Sequence, residues 1–279
     1  MGDSSMENGT TSVRRKGALR MDDIPPEVLR ALNEGRDETI TLPEGLAIDH
    51  RALMRCLIGD AGLQAGRAQI EAGVDALAGK GVVQRVIGAG RVLFEALDGY
   101  PDRAAVYERI ASHRSDMVRS WASYIHTADP SLTMVQRLAA ARRFAADPHS
   151  SVRESAWDSY RPWFAKETAL RFELLEEWVR DADANVRRCA VESTRPCGVW
   201  TAHIPALKRD PAPGLRILEH VRSDPSLYVR KSVGNWLNDA AKYQPDWVRQ
   251  VCERWARESP TRETLWTVGH GMRGMRREL

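Results

Sequence analysis

Between Asp224 and Lys242 apolar side chains recur at helical spacing, at Val229, Val233, Leu237, Ala240 and Ala241, and predict one helix with a core stripe. Asp224-Pro-Ser ahead of it reads as a turn feeding the helix N-terminus, where Asp or Ser accepts a free backbone N–H. At about 100° per residue, Lys231, Asn235, Asn238 and Lys242 gather on the opposite face. Asp239 and Trp236 lie at its edge.

The Val-Arg step of this helix recurs upstream. Val118-Arg119, Val152-Arg153 and Val186-Arg187 are spaced 34 residues apart, and the interval to Val229-Arg230 is 43 residues. The longer interval contains Pro205, Pro211 and Pro213, and each step follows an Asp-containing turn. A second apolar helix fits between the steps, as at 169–179 and 247–255. A period in the thirties with a helix pair per unit predicts an all-α, HEAT-like helical-repeat solenoid with a concave basic face. Earlier in the chain the pattern predicts helices over 26–33, 50–59, 66–78 and 84–98, and a turn into a helix within 39–49. The glycines at 79–81 and 88–90 mark breaks or close helix contacts. No segment makes a convincing strand. Residues 1–20 are polar and poor in apolar content, which predicts a disordered tail, and 21–279 form a single repeat domain.

Overlaying the units places three positions on one face, at one, five and eight residues after the repeat arginine. They are Glu154, Asp158 and Arg161, then Arg188, Glu192 and Arg195, then Lys231, Asn235 and Asn238. Stacked side by side, these predict a strip of cations with carboxylates set among them. The competing reading is a solvated polar face.

Composition narrows the chemistry. Net charge is only +3, so any anion-binding face must come from local clustering. Cys56, Cys189, Cys197 and Cys252 lack zinc-ligand spacing and read as buried thiols. The seven histidines form no ligand cluster, and there is no Walker A loop, HExxH or GxSxG. No metal or cofactor is implied. With no membrane-spanning run or signal-type segment, a cytoplasmic monomer is expected.

Val186-Arg-Arg-Cys-Ala-Val-Glu-Ser-Thr-Arg-Pro-Cys-Gly-Val-Trp200 resembles the RR…E-x-T-R-P…W segment of AlkC-type DNA alkylation-repair glycosylases. The stretch Tyr228-Val-Arg-Lys-Ser-Val-Gly-Asn-Trp-Leu-Asn-Asp-Ala-Ala-Lys242 is similar to that family's YVR-x-SV-x-N-x-LND-x-x-K signature. Arg161-Pro-Trp163 and Val118-Arg-Ser-Trp121 extend the likeness upstream, and 38–49 more weakly. The resemblance implies a HEAT-like fold holding damaged duplex DNA, and hydrolysis of the N-glycosidic bond of cationic bases of the 3-methyladenine and 3-methylcytosine type. It further implies catalysis without the base extrusion common to base-processing enzymes.

Carried over by motif, the family's glutamate falls on Glu192, its LND aspartate on Asp239 and its tryptophan on Trp200. Arg188 and Arg195 match the flanking arginines. A base already cationic is a good leaving group, so a carboxylate that stabilises an oxocarbenium-like sugar and positions water suffices. Asp239 is expected in that role with Glu192 assisting, Trp200 and Trp157 contacting substrate, and Arg161, Arg188, Arg195, Lys231, Asn235, Asn238 and Lys242 contacting DNA. The sequence departs from the family where a further glutamate is usual. Trp157 stands there, with Asp158 next to it as the candidate replacement. Structural alternatives stand beside these roles: Asp239 as a surface carboxylate paired with Lys242 or Arg230, Trp200 as packing between repeats, and the Arg-Pro pairs at 161 and 195 as helix ends. The alternative function is a non-catalytic repeat module that binds DNA or protein.

Overall fold

The computed structural model describes residues 15–275 except 167, 199 and 200, and not the side chains of 168–171. Among the described residues the chain is helical with no strand. The helices are α1 Pro26–Asn33, α2 Leu42–Ala47, α3 His50–Asp60, α4 Arg67–Asp75, α5 Val82–Leu97, α6 Arg103–Ala111, α7 Asp116–Ala128 and α8 Met134–Ala145. They continue with α9 Ser150–Lys166, α10 Thr168–Val179, α11 Ala184–Ser193, α12 Pro205–Arg209, α13 Leu215–Val221, α14 Leu227–Ala241, α15 Pro245–Glu258 and α16 Arg262–Gly271.

Two rows of helices result. In the first, α5, α7, α9, α11, α14 and α16 pack side by side in that order, and α4, α6, α8, α10, α13 and α15 form the second behind them. The HEAT-like repeat expected from the 34-residue period is present. Val118, Val152, Val186 and Val229 sit at equivalent places in the core between the rows, each wholly buried.

The arginine after each valine has a repeated structural task. Arg119 donates to the carbonyls of His113 and Arg114, and Arg153 to those of Asp147 and Pro148. Arg187 donates to Asp181 and Ala182, and Arg230 to Asp224 and Pro225. Each guanidinium reaches back five and six residues and closes the turn that launches its own helix. Two of them also tie neighbouring units together, Arg119 to Asp147 at 2.8 Å and Arg187 to Asp224 at 2.7 Å. The turn aspartates fold on themselves as well. Asp147 and Asp224 each accept the backbone N–H two residues on, the geometry of an Asx turn.

Gly90 is a close contact rather than a break: a Cβ there would lie 2.5 Å from that of Tyr124, so α5 and α7 touch through it. Gly88 lies inside α5 and a Cβ there would meet Leu77 at 2.5 Å. Gly79, by contrast, does end a segment, with φ +78°.

Three expectations need correction. Residues 15–20 do not belong to a loose tail, because Arg15 pairs with Glu44 at 2.6 Å and Asp37 at 3.0 Å and anchors them beside α2. Residues 1–14 lie outside the described residues. Arg161-Pro162 does not end a helix, since α9 runs on to Lys166. Trp236 is not at the polar edge. It is fully buried, donating to the Thr194 carbonyl at 3.0 Å, and the missing Cβ of Gly214 makes room for its ring.

Candidate active site

Glu192 lies one helical turn after Arg188 on the same side of α11, and Arg195, two residues past the helix end, turns back to the same place. Ser232, Trp236 and Asp239 follow the same logic on the face of α14 that meets α11. The result is an alternating row of charges. Lys242 lies 3.0 Å from Asp239, Arg195 lies 2.8 Å from Asp239 and 3.1 Å from Glu192, and Arg188 lies 3.6 Å from Glu192 and 2.7 Å from Glu154. Ser232 Oγ donates to Glu192 at 2.6 Å. The expected basic strip is therefore internally paired, and two of its three carboxylates are the deep members, Asp239 at 3% and Glu192 at 4% exposure, while Glu154 lies at the surface.

Buried carboxylates survive only with partners of this quality. Burial alone pulls the Arg195 guanidinium down, but Glu192 and Asp239 outweigh it and hold the group firmly protonated. Arg188 has the same balance: burial lowers it, and Glu154 and Glu192 raise it further. Its guanidinium also lies over the Tyr228 ring at 4.3 Å, with Arg153 5.3 Å from the same ring.

Asp158 does not join the row. It takes a 2.6 Å hydrogen bond from the Tyr124 hydroxyl, and burial pushes its carboxyl upward against the opposing bonds from Tyr124 and Thr201. Trp157 stands between the two places. Its indole N–H donates to Glu154 at 3.0 Å, and the side chain lines a cavity of about 120 Å³ beside Glu192 and Arg195. Trp200 lies outside the described residues.

Arg161 is not a DNA contact. It is 1% exposed, and its guanidinium donates to the carbonyls of Glu192, Ser193, Arg195 and Ala202. Burial, the largest influence, brings it down to about 10. It pins the segment leaving α11, with no face left for a phosphate. Asn235 and Asn238 present less than expected too. The Asn235 side-chain oxygen accepts from Arg273 at 2.9 Å and faces His270 at 3.2 Å, and that of Asn238 accepts from the Gly274 N–H. Lys231 is exposed on α14, and Lys242, exposed at the helix's C-terminal cap, is held by Asp239.

Sequence reasoning missed Ser232, Tyr124, Tyr228 and Arg273. Ser232 had a signal, because it continues the Val229–Trp236 stripe at three- and four-residue spacing and a hydroxyl there must find a buried acceptor. Arg273 had none, since it follows the last repeat.

Residues 146–265 match the family model described as DNA alkylation repair enzyme. The solved structure of Pseudomonas fluorescens alkylpurine DNA glycosylase AlkC, bound to DNA containing an abasic site analog, superposes with a TM-score of 0.64 and 25% identity, covering 78% of this chain and 62% of that one. AlkD2 from Streptococcus mutans shares the fold, with TM-score 0.55 and 21% identity over 73% of this chain and 97% of that one. The uncharacterized protein YhaZ of Bacillus subtilis (strain 168) is 41% identical over 128 residues, 42% of this chain. The match spans only 35% of that relative's length. Residues 146–265, the segment holding the whole carboxylate–cation row, thus match the DNA alkylation repair enzyme model, and the chain is similar in fold to the AlkC glycosylase.

Proposed function

We propose that the protein is a monofunctional DNA glycosylase that hydrolyses the N-glycosidic bond of cationic N-alkylated bases, of the 3-methyladenine and 3-methylcytosine type, in duplex DNA. The observation that carries this reading is the Glu192–Arg195–Asp239 bridge: two buried carboxylates on neighbouring helices, fixed by one arginine. A binding surface has no need to bury and fix two carboxylates, whereas a reaction that develops positive charge on a sugar does. Water oxygen bonds to C1′, and the C1′–N bond breaks with its electron pair passing to the base. The base leaves neutral and one proton passes to solvent.

The ion pairs suggest how Asp239 meets the sugar. One carboxylate oxygen is held by Arg195 and the other by Lys242. Lys242 is 54% exposed in its side chain while Asp239 is buried, so the ammonium is the end of this pair that a phosphate can reach. A DNA phosphate that draws Lys242 away frees that oxygen only when DNA is bound. Glu192, held by Ser232 and Arg195, then orients water or attracts the cationic base. Lys231 adds a sequence-independent phosphate contact.

The test is release of methylated base from duplex DNA by the wild type, Asp239→Asn and Glu192→Gln. Asp239→Asn is expected to lose about 10²-fold or more, the scale of removing one aimed charge-stabilising group. A wild type that binds duplex DNA and releases no methylated base would put the non-catalytic binding module in place of the enzyme.

A further inference from the structure

Past the end of α16, residues 272–275 fold back across α14 as a strap, over Asn235 and Asn238. Two glycines allow the close approach. A Cβ on Gly234 would lie 2.5 Å from His270, and one on Gly274 would lie 2.9 Å from the Asn238 side-chain oxygen that accepts the Gly274 N–H. The Arg273 guanidinium is then set in place by neutral acceptors. Nη1 donates to the carbonyls of His270 at 2.5 Å and Gly234 at 3.4 Å, and Nη2 donates to the Asn235 side-chain oxygen at 2.9 Å.

Charge sets this arginine apart from the others at the site. Arg188 and Arg195 are each paired with two carboxylates, whereas Arg273 has no carboxylate partner among the described residues. The edge formed by its Nε–H and second Nη2 hydrogen has no acceptor among them either. That edge is the fork through which an arginine takes a phosphate by two parallel bonds, and the residue is exposed. Burial, the largest influence, lowers the guanidinium, Asp239 raises it and Arg195 lowers it again, so the charged row reaches it from both signs. Arg273 and Lys231 in turn add to the burial that lowers His270, which gathers two uncompensated cations around that ring.

The strap stands between two concave places. Asn235, which holds Arg273, also lines the cavity of about 120 Å³ beside Glu192 and Arg195. Gly274 and Met275 wall a cleft of about 540 Å³ together with Lys242 and Arg249. A phosphate gripped at Arg273 therefore sits beside the carboxylate row, with further cations along the same helix.

We propose that this strap is part of the DNA interface: Asn235 and Asn238 latch it to α14, and Arg273 takes a backbone phosphate of the strand whose sugar meets the Glu192–Asp239 row. The two asparagines, read from sequence as DNA contacts, act through the strap instead. Arg273 lies outside the 146–265 segment that matches the family model. The inference rests on the duplex-binding part of the glycosylase reading, and no bond is made or broken in it.

The experiment is fluorescence anisotropy with undamaged duplex at several salt concentrations, for wild type, Arg273→Gln, Arg273→Lys and Asn235→Ala. Arg273→Gln should bind about tenfold more weakly, the scale of one charge-assisted hydrogen bond, and lose about one from the salt slope. Arg273→Lys should keep the slope, and since the position is exposed both variants leave the core untouched. Asn235→Ala should weaken binding in the wild type and add nothing in Arg273→Gln, because a latch matters only through what it holds. Unchanged affinity and slope in Arg273→Gln overturn the proposal, and so does tighter binding, which would make the strap an obstruction. An additive loss from Asn235→Ala overturns the latch and returns that asparagine to direct DNA contact. Wild-type release of 3-methyladenine is read alongside. Release with an unmoved slope in Arg273→Gln removes this inference and leaves the glycosylase standing, whereas the expected slopes without release do the reverse.

Discussion

Arg161→Lys separates a structural arginine from a DNA-binding one. The guanidinium reaches four carbonyls, with distances of 2.8 Å to Ser193, 2.7 Å to Arg195, 3.1 Å to Ala202 and 3.4 Å to Glu192. Lysine keeps the charge but brings one ammonium in place of a planar fork, and at least two of these carbonyls lose their partner. An unsatisfied buried acceptor costs about 1–3 kcal/mol, so the variant should lose about 3 kcal/mol, with Arg161→Ala losing more. For a chain of this size that corresponds to a fall of about 10 °C in the unfolding midpoint, at about 2–4 °C per kcal/mol. Hydrogen exchange should show the loss first at 192–195, the carbonyls the arginine holds, because a helical repeat opens locally. Affinity for undamaged duplex and its salt dependence should stay near wild type in the folded fraction. Wild-type stability together with a shallower salt slope would refute this account and return Arg161 to the phosphate contacts.

The other tests are independent of one another. His50 is buried with neither ring nitrogen bonded among the described residues, and burial, aided by Arg85, lowers it from 6.5 to about 4. The neutral ring is the one the fold accepts, so its contribution is complete above pH 6.5 and is lost as pH falls toward 4, by about 3 kcal/mol; urea midpoints at pH 7 and 4.5 should show this, and His50→Phe should flatten it. Gly90→Ala should cost about 2 kcal/mol by driving a methyl into Tyr124 and the Trp121 carbonyl, whereas Gly59→Ala, which meets nothing within 4 Å, should gain about 0.5–1 kcal/mol in thermal unfolding. Lys231→Gln should weaken duplex binding evenly across sequences and reduce the salt slope by about one, read by fluorescence anisotropy at several salt concentrations.

The two-row fold was legible because each unit writes the same two signals, a turn aspartate and a Val-Arg step, at nearly the same interval. α1 and α5 are bounded almost as the apolar spacing predicts, at 26–33 and 82–97. The two buried carboxylates of the row stand at positions the motif resemblance singled out, and the facing of α11 and α14 was legible through the repeat. What was not legible is which partner each charge takes. Overlay predicts a face, while pairing depends on sub-helical offsets between neighbours. It read Glu192 and its arginines as a basic strip for DNA, whereas Ser232, hidden among core positions, and Asp239 on the next helix complete a neutral row.

The positions eight residues after the repeat arginine show why register alone cannot assign a role. Arg161 and Arg195 occupy equivalent places one unit apart and carry the same side chain before the same proline. After Arg161 the helix continues, and the guanidinium turns toward the segment leaving α11, whose carbonyls have no helical partner. Arg195 itself lies just past the end of α11, and its guanidinium does not turn back onto that segment. It faces α14 instead and meets Asp239. One arginine is spent holding the backbone that positions the other, and the second fixes the two carboxylates. Loss of the first should therefore disturb the second. In Arg161→Lys the Arg195–Asp239 contact loosens along with the 192–195 backbone, so base release should fall further than the unfolded fraction explains. Base release that simply tracks the folded fraction would separate the two arginines and leave Arg161 as a purely local clamp.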